Sequence, residues 1–165
     1  MIESERLILE PLSRDHLEPW TRFMLDGDAR AGLHTPDPSA SAEEAAAGLD
    51  RFAEVADMSA LRVRDSGEIA GFAGFVPRTM DWGDEVEPGW MLMPDHRGHG
   101  YATEAALALR PQEGERVISL IREDNPASQA VARRLGSERE RVIEYWGYET
   151  GVWVSHRDLE PRSST

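Results

Sequence analysis

Residues 87–105, EPGWMLMPDHRGHGYATEA, carry the reading that decides the fold. Within 85–93 the apolar residues Val86, Trp90 and Leu92 suit a strand; Pro94 and the run Gly98-His99-Gly100 interrupt it, and 101–109 has helical propensity. A strand that passes through a Gly-containing loop into a helix forms an anion site, because the unpaired N–H groups of the first helical turn and the positive end of the helix dipole converge there. Gly100 permits close backbone approach and Arg97 adds positive charge. A dinucleotide fingerprint fits poorly, since Gly98-x-Gly100 is followed by Thr103 rather than Gly or Ala and no βαβ unit precedes it.

Upstream, Leu7-Ile8-Leu9 is a short strand closed by Pro11, and Ser13 opens a helix with Leu17, Trp20, Phe23 and Met24 at helical spacing. Pro19 lies among them and predicts a kink or restart. Pro36, Pro38 and Ser39 mark 32–40 as a loop long enough to border a site. Ser41-Ala42-Glu43-Glu44 is a capping box, and Leu49, Phe52 and Val55 follow on one face of a second helix. Alternation at Leu61 and Val63, the turn Asp65-Ser66-Gly67 and the run 69–76 predict a hairpin, with a polar stretch over 77–84. Downstream, 111–115 breaks the helix, 117–121 reads as a buried strand, 125–135 as a helix ended by Gly136, and 139–146 with 149–156 as a hairpin over Gly147. The predicted order is βααβββαβαββ.

The length of 165 residues predicts one domain over 1–160 with a tail at 161–165. Arginine supplies all 18 basic side chains against 31 acidic ones, for a net charge of −13, and there is no Lys and no Cys. Lysine general bases, Schiff bases and G-x-x-x-x-G-K phosphate loops are thereby excluded, as are thiolate nucleophiles, disulfides and Cys-type zinc sites. So acidic a chain does not suit nucleic acid, whose affinity comes mostly from basic groups; a cationic small molecule or peptide is the easier partner. Residues 1–6 are charged and the longest apolar run is 69–76, so a soluble, cytoplasmic protein without a membrane partner is expected.

Arg97-x-x-Gly100-x-Ala102 resembles the pyrophosphate loop of the GNAT superfamily of N-acetyltransferases. The strand and loop 87–105, the helix start Asn125-Pro126-Ala127-Ser128-Gln129, the turn Leu135-Gly136 and the opening Arg6-Leu7-Ile8-Leu9 together resemble its RimJ/RimL-like branch. The resemblance implies an α/β fold with a mixed, splayed sheet of about seven strands and about four helices. It implies that acetyl-CoA binds with its pyrophosphate on the loop N–H groups of Arg97, Gly98, His99, Gly100, Tyr101 and Ala102, and its pantetheine along Leu92 and Met93. Asn125 and Ser128 would lie beside the pantetheine and the thioester sulfur, and no metal is implied. The acetyl group would pass directly to a primary amine, a protein N-terminus or a small amine. A carboxylate acting directly or through water would take the proton. Glu87 stands where the resemblance puts the family's strand glutamate, and Glu85 shares its face. Crowded with Asp84, these carboxylates would raise one another's pKa and attract a cationic acceptor. Homodimers, common in the family, are a further expectation.

The sequence departs from the family pattern in three places. Ala132 stands where some members have a Tyr that protonates the departing thiolate, which leaves Ser128, Tyr145, Tyr148 or water, or no acid at all, since a thiolate is already a fair leaving group. Ser137 replaces the usual Phe, and the segment 101–115 is short. A non-catalytic acyl-CoA sensor is therefore the competing reading. Each feature also has a plainer explanation: an ordinary turn at Gly98 and Gly100, a solvated strand residue at Glu87, a helix cap at Asn125 and Ser128, packing roles for Trp82, Trp90, Trp146 and Trp153, and no third ligand to make a metal site of His96 and His99.

Overall fold

The computed structural model describes residues 1–34, 41–109 and 116–156. Five strands, β1 (Ile2–Glu3), β2 (Leu7–Pro11), β3 (Asp57–Val63), β4 (Ile69–Met80) and β5 (Gly83–Leu92), form one sheet in the order β1-β2-β3-β4-β5. Three more, β6 (Arg116–Arg122), β7 (Glu138–Tyr145) and β8 (Tyr148–His156), form a second in the order β6-β8-β7. Every ladder pairing is antiparallel. The helices are α1 (Leu17–Leu25), α2 (Gly27–Arg30), α3 (Ala42–Val55), α4 (Tyr101–Leu109) and α5 (Pro126–Arg134). This is the expected splayed α/β architecture. The eighth strand and fifth helix among the described residues are β1 and α2, of two and four residues, too short for any hydrophobic period to reveal. β5 and β6 pack side by side but belong to different sheets, and the molecule is splayed between them.

The period-two alternation of the strands sorts the first sheet's side chains onto two cores. Ala60 and Phe72 face α1 and α3, where they meet Trp20, Phe23 and Leu49; Leu7, Leu9, Leu61 and Ala73 face Ala105 of α4. Trp20 lies edge-on to Phe72 at 5.1 Å and donates its indole N–H to the Ala45 carbonyl at 2.8 Å. Each such buried side chain contributes about 1.5–3 kcal/mol. In the second sheet Ile118, Leu120, Val152 and Val154 form one cluster, and Ile121 and Trp153 pack with Ala132 of α5. Pro19 does not interrupt the helix: Ser13 caps a 3-10 turn at Arg14–His16, α1 begins at Leu17, and Pro19 falls in its first turn, where its missing N–H costs no intrahelical hydrogen bond.

The polar stretch 77–84 is shorter than expected, because β4 continues to Met80 and β5 begins at Gly83. Past Phe75, which pairs with Asp57 at the start of β3, β4 has β5 as its only ladder partner among the described residues, an edge position that tolerates Pro77. This extension carries Arg78 alongside Glu85 and Glu87. Residues 35–40 of the loop expected at 32–40, the breaker at 111–115 and the tail at 161–165 lie outside the described residues. Among the described residues no helix is long and apolar enough to cross a membrane.

Candidate active site

A cavity of about 260 Å³ opens at the splay between β5 and β6. The Glu87 side chain reaches into it from β5, and Ser119–Ile121 approach from β6. Because no ladder joins these strands, the Leu120 N–H needs another acceptor, and Glu87 Oε1 accepts it at 3.2 Å. Glu87 Oε2 accepts from Arg78 Nε at 2.5 Å. Glu87 is 9% exposed, so it is not a solvated strand residue. Burial pushes its pKa above the ordinary carboxylate value, against the opposing pull of Arg78 and the Leu120 N–H. The structure separates its two acidic neighbours from the cavity. Glu85 accepts from Trp82 Nε1 at 2.8 Å and from Arg116 at 3.4 Å, and Asp84 accepts from the Thr79 hydroxyl at 2.9 Å.

Asn125 is both a helix cap and a cavity residue. Its Oδ1 accepts the Ser128 N–H at 3.1 Å, and its Nδ2 donates to the Gly32 carbonyl at 3.3 Å. The Ser128 hydroxyl accepts from Trp90 Nε1 at 3.3 Å. Ala132 is fully buried against Ile121 and Trp153 and offers no proton. Of the two tyrosines considered for that role, Tyr145 lines the cavity, whereas Tyr148 lies under the Arg122 guanidinium at 3.8 Å.

The loop before α4 is tied down from three sides. Gly98 and Gly100 adopt left-handed φ values of 76° and 82°. Arg6 donates to the His99 carbonyl at 2.9 Å and to Glu104 at 2.7 Å, and His99 stacks on Tyr101 at 5.5 Å. Arg97 points elsewhere: its N–H closes the 3-10 turn on Pro94, and its guanidinium donates to the carbonyls of Leu92, Asp28 and Ala29. Its positive charge thus fastens α2 to the loop. The N–H groups of Tyr101, Ala102 and Thr103 begin α4 and have no intrahelical acceptor. With Gly98, His99 and Gly100 before them, they are the candidate cradle for a pyrophosphate. The Met93 N–H donates to the Ala70 carbonyl and Leu92 pairs with Gly71 of β4; the β5 residues that line the cavity are Glu87, Pro88, Gly89, Trp90 and Met91.

Two ionisable cavity residues escaped the sequence reading, His34 and Arg78. The only signal for either was the loop that His34 enters and the polar stretch in which Arg78 sits. His34 Nε2 meets the Thr150 hydroxyl at 3.0 Å. Burial lowers its pKa to about 4, with the charges of Arg122 and then Arg78 adding to that and Asp124 opposing.

The family model for an acetyltransferase (GNAT) domain matches residues 6–138. The chain belongs to the GNAT acetyltransferase family. An uncharacterised protein of Bacillus subtilis (strain 168), YkkB, is 31% identical over 93 residues, 53% of this chain and 54% of that protein. This GNAT chain thus spans about half the length of that curated relative. A solved GnaT-family structure from Bordetella pertussis matches with a TM-score of 0.78 at 25% identity, over 93% of this chain and 97% of that one. RimL, the ribosomal L7/L12 alpha-N-protein acetyltransferase solved with coenzyme A, matches in fold with a TM-score of 0.73 at 22% identity, over 95% and 97% of the two chains.

Proposed function

We propose that this chain is an acetyl-CoA-dependent N-acetyltransferase of the RimJ/RimL-like branch, one cytoplasmic domain over 1–160, that acetylates a primary amine with Glu87 as the base. The observation that carries this reading is a buried carboxylate with a raised pKa, facing a cavity at the splay of a GNAT fold. Acetyl-CoA, a substrate rather than a resident cofactor, supplies an activated acetyl thioester. The loop N–H groups of Gly98–Ala102 and the start of α4 hold its pyrophosphate, and Asn125 and Ser128 border the reacting end. Glu87 takes the proton that the amine must lose to attack, directly or through one water. Its Oε1 stays fixed by the Leu120 N–H, which holds the carboxylate in place during transfer. The absence of cysteine agrees with direct transfer, in which the nitrogen bonds to the acetyl carbon and the carbon–sulfur bond breaks to release the thiolate. The hydroxyls of Ser128 and Tyr145, or water, are the proton sources beside the departing thiolate.

Thiol release measured across a panel of amines and N-terminal peptides tests the reading. Glu87→Gln is expected to lower turnover by about 10²–10⁴ while acetyl-CoA affinity is retained, with the defect shrinking as pH rises and the amine arrives neutral. Tight acetyl-CoA binding without thiol release to any amine would identify an acyl-CoA sensor instead.

A further inference from the structure

We propose that the acceptor carries a carboxylate as well as its amine, and that Arg78 docks this carboxylate inside the cavity. The inference rests on the transferase reading of the same site and reverses the cationic acceptor expected from composition.

The carboxylates that were to recruit a cation are all engaged, Asp84 by Thr79, Glu85 by Trp82 and Arg116, and Glu87 by Arg78. Among the described residues Glu87 is the only carboxylate in the cavity wall, and its charge is already matched. Arg78 has used only Nε. Its two terminal nitrogens have no partner among the described residues, its side chain is 36% exposed, and it lines the cavity. A guanidinium with one edge on Glu87 and the other free presents the planar fork that binds carboxylates in bidentate fashion.

The surrounding charges agree. Arg122 lies behind His34 and is satisfied by Asp124, by the carbonyls of Ala31 and Leu33 and by the Tyr148 ring. Thr150 donates its hydroxyl hydrogen to the Tyr148 carbonyl, so its oxygen accepts from His34 Nε2–H and Nδ1 keeps the lone pair. His34, held neutral chiefly by burial and then by the charges of Arg122 and Arg78, adds no negative charge to the wall that would attract a polyamine. The rest of the wall is largely apolar, with Met24, Phe52, Trp90 and Met91, and with Trp146, 66% exposed, at its edge.

The arrangement also couples binding to catalysis. While Arg78 holds Glu87 alone, the guanidinium stabilises the carboxylate's charge and weakens it as a base. A substrate carboxylate on the free edge of Arg78 shares that charge, so Glu87, already raised by burial, becomes a stronger base when an acceptor is docked.

The test uses protein saturated with CoA, titrated calorimetrically with L-phenylalanine, L-methionine and L-glutamate, with their α-carboxamides, and with spermidine. Acetyl-CoA thiol release is measured on the same panel. At least one amino acid is expected to bind about 10- to 100-fold tighter than its amide. Arg78→Gln should reduce that ratio toward one, and Arg78→Lys, which keeps the charge but not the fork, should restore part of it. Because Arg78→Gln leaves a buried carboxylate unpaired, the double variant Arg78→Gln/Glu87→Gln repeats the binding arm without it. Equal affinity for acids and amides, a preference for spermidine, or no binding by any amino acid of the panel overturns the proposal, and thiol release with other amines would then leave the transferase reading standing. Acid-selective binding without thiol release supports the docking role of Arg78 and overturns the transferase reading.

Discussion

Gly100 holds a φ of 82° at the mouth of α4, and an added Cβ there would sit 3.4 Å from the flexible end of Arg6. Space is thus tolerable, and the conformation is the constraint: a β-branched residue in the left-handed region is strained by roughly 1–2 kcal/mol or more. Gly100→Val should relieve that strain by turning the loop, which misaims the N–H cradle and abolishes acetyl-CoA binding; calorimetry on the folded variant checks this. Gly32 is constrained differently. A Cβ there would lie 2.4 Å from Asn125 Nδ2, the atom that donates to the Gly32 carbonyl. Gly32→Ala should push Asn125 from its cap and cost about 0.5–2 kcal/mol in a thermal melt, together with a rise in KM for acetyl-CoA.

At the scale of elements, the loop and α4 are fastened to the amino-terminal strands through one carboxylate. Glu104 accepts from the Ser4 hydroxyl at 2.8 Å and from the Arg6 N–H and Nε at 2.7 Å each, while Arg6 also reaches the His99 carbonyl. Burial pushes the Glu104 pKa up, but these bonds outweigh it and hold the pKa below the ordinary value. Glu104→Ala should cost about 1–3 kcal/mol and weaken acetyl-CoA binding, because the loop loses its strap although no cradle residue is altered. A melt combined with calorimetry separates the two effects. Unchanged affinity in a destabilised variant would assign Glu104 to stability alone.

For the whole molecule, two shifted groups set an acid limit. His34, lowered to about 4 from 6.5, is neutral when folded and protonated when unfolded between those values, so its contribution is present above about pH 6.5 and is lost as pH falls toward 4. Glu10 is lowered to about 2, chiefly by the hydrogen bond from Arg62, against burial and with His16 assisting; its contribution is lost as pH falls from 4.5 toward 2. Denaturant midpoints should therefore decline in two stages on acidification. His34→Gln should flatten the upper stage and leave the lower one in place.

The sequence by itself determined the order of the long elements, the strand-loop-helix passage from β5 into α4 and the place of Glu87 on β5, because hydrophobic period, glycine and helix-start chemistry are local properties of the chain. It also determined that neither lysine nor cysteine chemistry was available. Local pattern could not show the two-residue β1, the four-residue α2 or the extension of β4 through Pro77, which depends on β5 pairing beside it. Only the tertiary structure decided which charges are free. Glu85 and Glu87 look alike in sequence, yet Arg116 comes from β6 and Arg78 from β4 to occupy them, and Arg97 spends its charge on α2 rather than on the cradle. Composition counts an acidic surplus, but the field inside a cavity depends on which groups lie within a few ångströms of it, and here those include a half-free Arg78 and a neutral His34.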